Sequence, residues 1–140
     1  FLIESIFATV KLRKNESKKY ISSTPHCMND TIKKGKEGED RAERLLLEKG
    51  FEIIARNYRY KRSEIDLIVR KKDWLVFVEV RMRNSIKFGH PEETISDAKR
   101  KKVMEGAAHY LEETKWLGNV RYDVIAIRNK EIVHFEDAFY

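Results

Sequence analysis

Five consecutive positions, Trp74-Leu75-Val76-Phe77-Val78, carry only apolar side chains. Successive strand residues point to opposite faces, so a run that is apolar throughout needs cover on both. It marks a central strand of a sheet with other layers packed on each side. Just before it, Lys71-Lys72-Asp73 is short and polar. Residues 64–70 read as another strand, so the two strands are expected to form an antiparallel hairpin.

The remaining periodicities fill in the layers. Residues 39–49 read as a helix, with Ala42, Leu45 and Leu46 on one face and Gly50 as the stop. At about 100° per residue, Glu39 falls at the edge of that face. Residues 51–58 form a first strand and residues 74–82 a third. A long helix is expected from Pro91, in its first turn, to about residue 113. Short strands follow at 120–127 and 131–135. Strands grouped between helices predict an α/β fold: a mixed central sheet flanked by helices. A length of 140 residues fits one such domain.

The first 34 residues differ from the rest. They hold seven Lys or Arg against three Asp or Glu and no sustained periodicity. The expected organisation is a disordered basic extension over 1–34 and one folded domain over 35–140. Position 1 is not methionine, and Met28-Asn29-Asp30-Thr31 looks like a natural beginning. Residues 1–27 therefore read either as an upstream extension or translation artefact, or as a basic tail that helps hold nucleic acid.

Charge narrows the partners. Charged residues make up 37% of the chain, and the net charge is +6. That balance favours polyanions. Cys27 is the only cysteine, which rules out an intrachain disulfide and Cys-pair zinc sites. It fits a reducing, cytoplasmic compartment. No stretch approaches the roughly 18 apolar residues of a membrane span, so no membrane partner is expected.

Chemistry concentrates in Ser63-Glu64-Ile65-Asp66 and Phe77-Val78-Glu79-Val80-Arg81. Residues two apart on a strand lie about 6.7 Å apart on one face. Glu79 and Arg81 therefore point the same way, as do Glu64 and Asp66. Glu79 continues the face of Leu75 and Phe77, where a carboxylate is costly unless something binds it. The hairpin brings Asp66 beside Glu79. Two readings fit this pair. One is a cross-strand ion pair with Arg81. The other is a site for Mg²⁺ or Mn²⁺, with the cation completed by water and phosphate and Arg81 neutralising charge on phosphorus.

Further basic residues surround these motifs. On the second helix, Lys99 falls nearest the middle of the apolar face of Val103, Ala107, Tyr110 and Leu111. From there it can reach the acidic site or snorkel at the core edge. Lys101 and Lys102 are expected on the surface or against phosphates. Arg56, Arg59, Lys61 and Arg62 surround Tyr58 and Tyr60, a mixture that suits a nucleic-acid strand or ordinary strand ends. Arg83 leads into residues 84–90, a loop expected beside the site. Asp123, alternating with Arg121, reads as structural.

Several of these motifs recur together elsewhere. Gly38-Glu39 with Ala42, Arg56-Asn57-Tyr58-Arg59, Ser63-Glu64-Ile65-Asp66-Leu67-Ile68, Phe77-Val78-Glu79-Val80-Arg81, Lys99, and Arg121-Tyr122-Asp123-Val124-Ile125 resemble the YraN family of small bacterial proteins. The match runs in order from about residue 35 to 139. That family resembles archaeal Holliday-junction resolvases and the restriction-endonuclease-like nucleases. The resemblance implies a restriction-endonuclease-like fold, Mg²⁺ or Mn²⁺ as cofactor, and a nucleic-acid partner, more readily DNA than RNA. It makes Asp66 and Glu79 the metal ligands, with Glu39, Arg81 and Lys99 completing the catalytic set. Arg56, Arg59, Lys61, Arg62, Arg83, Lys101 and Lys102 would contact the nucleic acid. Resolvases of similar fold are dimers, so a homodimer is one assembly to consider, although no dimer signature stands out. Two positions depart from the pattern. Ser63 replaces a usual glycine, a change expected to touch only a turn. Arg81 replaces a usual lysine, and arginine cannot shed its proton. The implied function is a Mg²⁺-dependent endonuclease acting on branched or damaged DNA. The alternative is an inactive nuclease-fold module that binds nucleic acid without cutting it.

Overall fold

A computed structural model describes residues 30–82 and 95–140. The elements, in chain order, are α1 (Asp30–Glu48), β1 (Glu52–Tyr60), β2 (Ser63–Lys71), β3 (Trp74–Met82), α2 (Asp97–Thr114), β4 (Asn119–Arg128) and β5 (Glu131–Phe135). The strands form one five-stranded sheet in the order β1-β2-β3-β4-β5. β3 and β4 run parallel, and the other neighbours are antiparallel. The architecture is α/β, a mixed sheet flanked by helices, and it is consistent with a restriction-endonuclease-like fold. β3 is the middle strand, as its unbroken apolar run requires.

The two faces hold separate cores. Leu75 and Phe77 point toward α2, where they join Val103, Ala107 and Tyr110. Val76 and Val78 point the other way, onto Ala42 and Leu46 of α1, together with Ile125 and Ile127. All of these residues except Tyr110 are completely shielded from solvent. A bulge between Ile53 and Ala55 puts both Ile54 and Ala55 on the α2 side. A parallel pair needs a crossover, and α2 lies on the path between β3 and β4.

Some boundaries differ from the sequence reading. α1 begins at Asp30 rather than at residue 39. Gly35 and Gly38 lie inside it. A Cβ at Gly38 would stand 2.8 Å from Met82 Sδ and 2.9 Å from its Cγ, outer atoms of an exposed side chain that can move aside. Gly50 does end the turn, with φ of 84°, and the Phe51 amide donates back to the Leu46 carbonyl at 2.9 Å. The start at Pro91 is replaced by Asp97. Ser96 is the N-cap, extended at φ −68° and ψ 152°, and its hydroxyl accepts from the Lys99 amide. Residues 1–29, and with them most of the expected extension, lie outside the described residues, as do Arg83, the loop at 84–90, and Pro91.

Ser63 does more than adjust a turn. It is buried, and its hydroxyl donates to the Lys102 carbonyl of α2. It sits against Gly106, where an added Cβ would collide with Ser63 Oγ and come within 3.3 Å of Ile65 Cδ1. Gly106→Ala is therefore expected to destabilise the protein by about 1–3 kcal/mol despite the better helix propensity of alanine. Urea melts of the two proteins check it; an alanine variant as stable as wild type would show that α2 is loosely seated here.

Candidate metal and phosphate site

The sheet forks at the acidic motifs. β2 and β3 pair from Lys71↔Trp74 to Leu67↔Val78 and no further. Beyond that point β2 stays with β1 as far as Ser63↔Tyr60. β3 stays with β4 as far as Met82↔Ile127. Asp66 and Glu79 are the first residues past the last shared pair. The Val80 amide donates to Asp66 Oδ2 at 2.7 Å, so a carboxylate takes a donor that the ladder no longer uses. Ile65 and Ile68, three apart, both join the α2-side core, so strict alternation breaks across the fork.

Two cations converge on Glu79. Lys99 Nζ lies 3.2 Å from Oε2, and Arg81 Nε lies 3.4 Å from Oε1. Lys99 Nζ also donates to the Glu64 carbonyl at 3.3 Å. The first turn of α2 thus aims Lys99 at the strand ends rather than at water. Glu79 is only 4% exposed. Among the described residues its Oε2 has no hydrogen-bond partner, and neither does Arg81 Nε. The neighbouring charges are in place, but hydrogen-bonding capacity is left over.

The electrostatics follow from burial. Loss of hydration, then the nearby Asp66 charge, push the Glu79 carboxyl up to about 7 against the partial relief of Lys99 and Arg81. Burial also raises Asp66, opposed by the Val80 amide and Lys99. Glu39 stands at the rim. Asn57 Nδ2 donates to its Oε2 at 3.0 Å. Burial raises its carboxyl, and Asp66 and Glu64 add to the effect. Among the described residues no group of three His, Cys, Asp or Glu side chains converges on one point. The acidic centre is a pair, with Glu39 nearby.

The expected nucleic-acid contacts divide into those engaged in the fold and those exposed. Arg56 is tied to α1 through Asp40 Oδ1 at 3.3 Å and through Glu43, so it links helix to sheet. Arg59 pairs with Glu64 at 3.0 Å while its side chain stays 74% exposed. Lys61 and Arg62 are exposed at the turn between β1 and β2, and Lys101 and Lys102 are exposed on α2. Lys61 Nζ sits 5.1 Å from the centre of the Tyr60 ring.

Two contributors escaped the sequence reading. Asn57 orients Glu39 from a left-handed backbone at φ 48°, and its place beside Arg56 was the only hint. His109 stacks on Tyr60 with ring centres 3.7 Å apart and pairs with the Tyr58 hydroxyl at 2.7 Å. No spacing rule joins residues this far apart in sequence. Asp123 is structural: it is fully buried and holds Arg121 and His134.

Comparison with known proteins now gives the family. The profile of the uncharacterised protein family UPF0102 matches residues 38–127. The chain belongs to UPF0102. The matched span contains the whole fork, from Glu39 through Asp66, Glu79, Arg81 and Lys99 to Asp123. The resemblance to the YraN family, which is this same family, is borne out. A UPF0102 protein of Thermodesulfovibrio yellowstonii is 42% identical over 109 residues, covering 78% of this chain and 97% of the relative. One from Persephonella marina is 42% identical over 107 residues, 76% of this chain and 92% of the relative. One from Clostridioides difficile is 44% identical over 110 residues, 76% of this chain and 96% of the relative. Among the described residues no helix is long and apolar enough to cross a membrane.

Proposed function

We propose that this UPF0102 protein is a Mg²⁺-dependent endonuclease that hydrolyses phosphodiester bonds of DNA at the fork between β2 and β3, on branched or damaged structures. The observation that carries the reading is a buried Glu79 beside Asp66 at the point where β2 and β3 part. Burying two carboxylates side by side costs several kcal/mol, and Lys99 and Arg81 offset it only in part, since the Glu79 carboxyl stays raised beside them. Asp66 and Glu79 offer hard oxygen donors, and Mg²⁺ commonly takes one or two protein carboxylates with water and phosphate for the rest. The donor set therefore fits, with Asp66 and Glu79 as ligands and Glu39 at the rim. When bound, the ion would polarise the phosphate and lower the pKa of a coordinated water.

The chain's own residues divide the remaining work. Arg81 keeps its proton under all working conditions. Its role is to hold a phosphate oxygen and neutralise charge there. Lys99 Nζ stands beside Glu79, where it adds a second positive charge to the site.

A second reading rests on Arg81 standing where the family's lysine is usual: a module that binds nucleic acid but does not cut. The test is cleavage of a panel of branched, nicked and single-stranded DNA with Mg²⁺ or Mn²⁺. The endonuclease reading expects cleavage that Asp66→Ala abolishes. Unchanged cleavage in that variant would remove Asp66 from the mechanism. Strongly salt-dependent binding without cleavage, with activity appearing in Arg81→Lys, would establish the second reading instead.

A further inference from the structure

We infer that the tip of the β1–β2 hairpin is a stacking platform for an unpaired base, so that the nucleic acid taken at the fork carries a single-stranded segment next to the phosphate bound there. This rests on the nucleic-acid reading above and narrows it to a substrate class. The platform is Tyr60, the last residue of β1. Its ring lies on His109 of α2 with an interplanar angle of 14°. The Tyr58 hydroxyl holds His109 through Nδ1, so the ring beneath Tyr60 is itself anchored. Tyr58 in turn packs edge-on against the buried Tyr110 at 5.2 Å. A side chain backed in this way loses little freedom when something stacks on it.

His109 covers one face of Tyr60. Tyr60 is half-buried, and Lys61 Nζ, on a flexible stem, lies 5.1 Å from its ring centre. That ammonium can swing from the ring to a phosphate as a base arrives. Arg62 is exposed in the same turn, and Lys102 is exposed on α2 at the position whose carbonyl accepts from Ser63. An aromatic face with cations around it is the pattern that binds single strands, because every base has a π-face and every nucleotide a phosphate. Inside a duplex that face is already stacked on neighbouring bases and is not available to a protein ring.

The geometry links the platform to the fork. Ser63 pairs with Tyr60, and Asp66 follows three residues along β2, about 10 Å at the rise of a strand. Stacked nucleotides advance about 3.4 Å each. A strand whose phosphate sits at Asp66 and Glu79 therefore carries a base roughly three nucleotides away to Tyr60. A continuous duplex cannot present that base without opening.

The experiment measures binding by fluorescence anisotropy in EDTA, so that cleavage cannot intervene. The probes are oligo(dT), a blunt duplex, and a duplex with splayed single-stranded arms. Tyr60→Leu keeps apolar contact with His109 but has no π-face; Tyr60→Phe keeps the face. The expected result is a loss of about 10-fold for Tyr60→Leu on oligo(dT) and the splayed duplex, no change on the blunt duplex, and wild-type affinity for Tyr60→Phe. Thermal melts confirm that both variants are folded. Should Tyr60→Leu bind every probe like wild type while Lys102→Glu weakens all of them, the surface holds phosphates only and the platform is refuted. Wild-type preference for the blunt duplex refutes it as well, yet leaves the nucleic-acid reading standing. Failure of wild type to bind any probe overturns both.

Discussion

Glu79→Gln is expected to lower Mg²⁺-dependent cleavage by about 10²- to 10³-fold, the usual range for losing one charge-stabilising group, while making the metal-free protein more stable at neutral pH. The two effects share one cause. Burial and Asp66 hold the Glu79 carboxyl up at about 7 in the folded protein, against 4.5 for the free side chain. The folded state therefore binds a proton that the unfolded state has released. The resulting penalty is fully present above pH 7, shrinks as pH falls through that value, and is gone below about 4.5. Glutamine removes the charge and with it the penalty. Melting temperature at pH 8 should rise by roughly 5 °C in the variant, and the gap should close toward pH 4.5. Added Mg²⁺ should stabilise wild type at pH 8 and leave Glu79→Gln unmoved. A variant less stable than wild type at pH 8 would mean that Lys99 and Arg81 satisfy Glu79 fully, and the argument for a cation there would lose its main support.

Asp123→Ala should have the opposite signature: a loss of about 3–5 kcal/mol of stability from a residue on the far face of the sheet. Burial alone would raise the Asp123 carboxyl. Hydrogen bonds from His134 and Arg121, and from the Asp137 amide, outweigh it and hold the group below the usual range. Arg121 donates twice at 2.8 Å, His134 Nε2 lies 2.7 Å away, and the Asp137 amide 3.0 Å away. Lys49 Nζ stands 2.8 Å from His134 Nδ1. With an ammonium donating to Nδ1, the imidazole carries its proton on Nε2, facing Asp123. Alanine would strand these donors, whereas Asp123→Asn keeps part of the geometry and should cost less. Because the folded carboxyl titrates below its unfolded value, the stabilisation is present above about pH 4. It disappears as pH falls through the folded value. Urea denaturation at pH 7 and pH 3 tests this: the difference between wild type and Asp123→Ala should be large at the first and much smaller at the second. An equal difference at both would point to lost packing rather than lost charge.

Strand and helix identities were readable because they depend on local period. The apolar run at 74–78 needed cover on both faces, and β3 has it. Arg81 and Glu79 share a face because alternation on one strand places them there. Lys99 was assigned to the inward face by helical spacing, and its ammonium reaches Glu79. Boundaries were less legible where a tertiary contact overrules a local signal. The helix expected from residue 39 begins at Asp30, one turn and more ahead of the apolar face that marked it. Ser96 offers the hydroxyl that closes the first turn of α2 at Lys99.

The sequence by itself determined the layer order, the family and the acidic motifs, since each is written in contiguous residues or in a fixed period. Only the tertiary structure decided where pairing between β2 and β3 stops. It alone decided which donor Asp66 takes, how Ser63 meets Gly106, and that Tyr60 lies on His109. These contacts join residues from 14 to 49 positions apart in the chain. Their existence depends on strand register and helix placement, both of which are set by the packing of the two cores rather than by any local pattern.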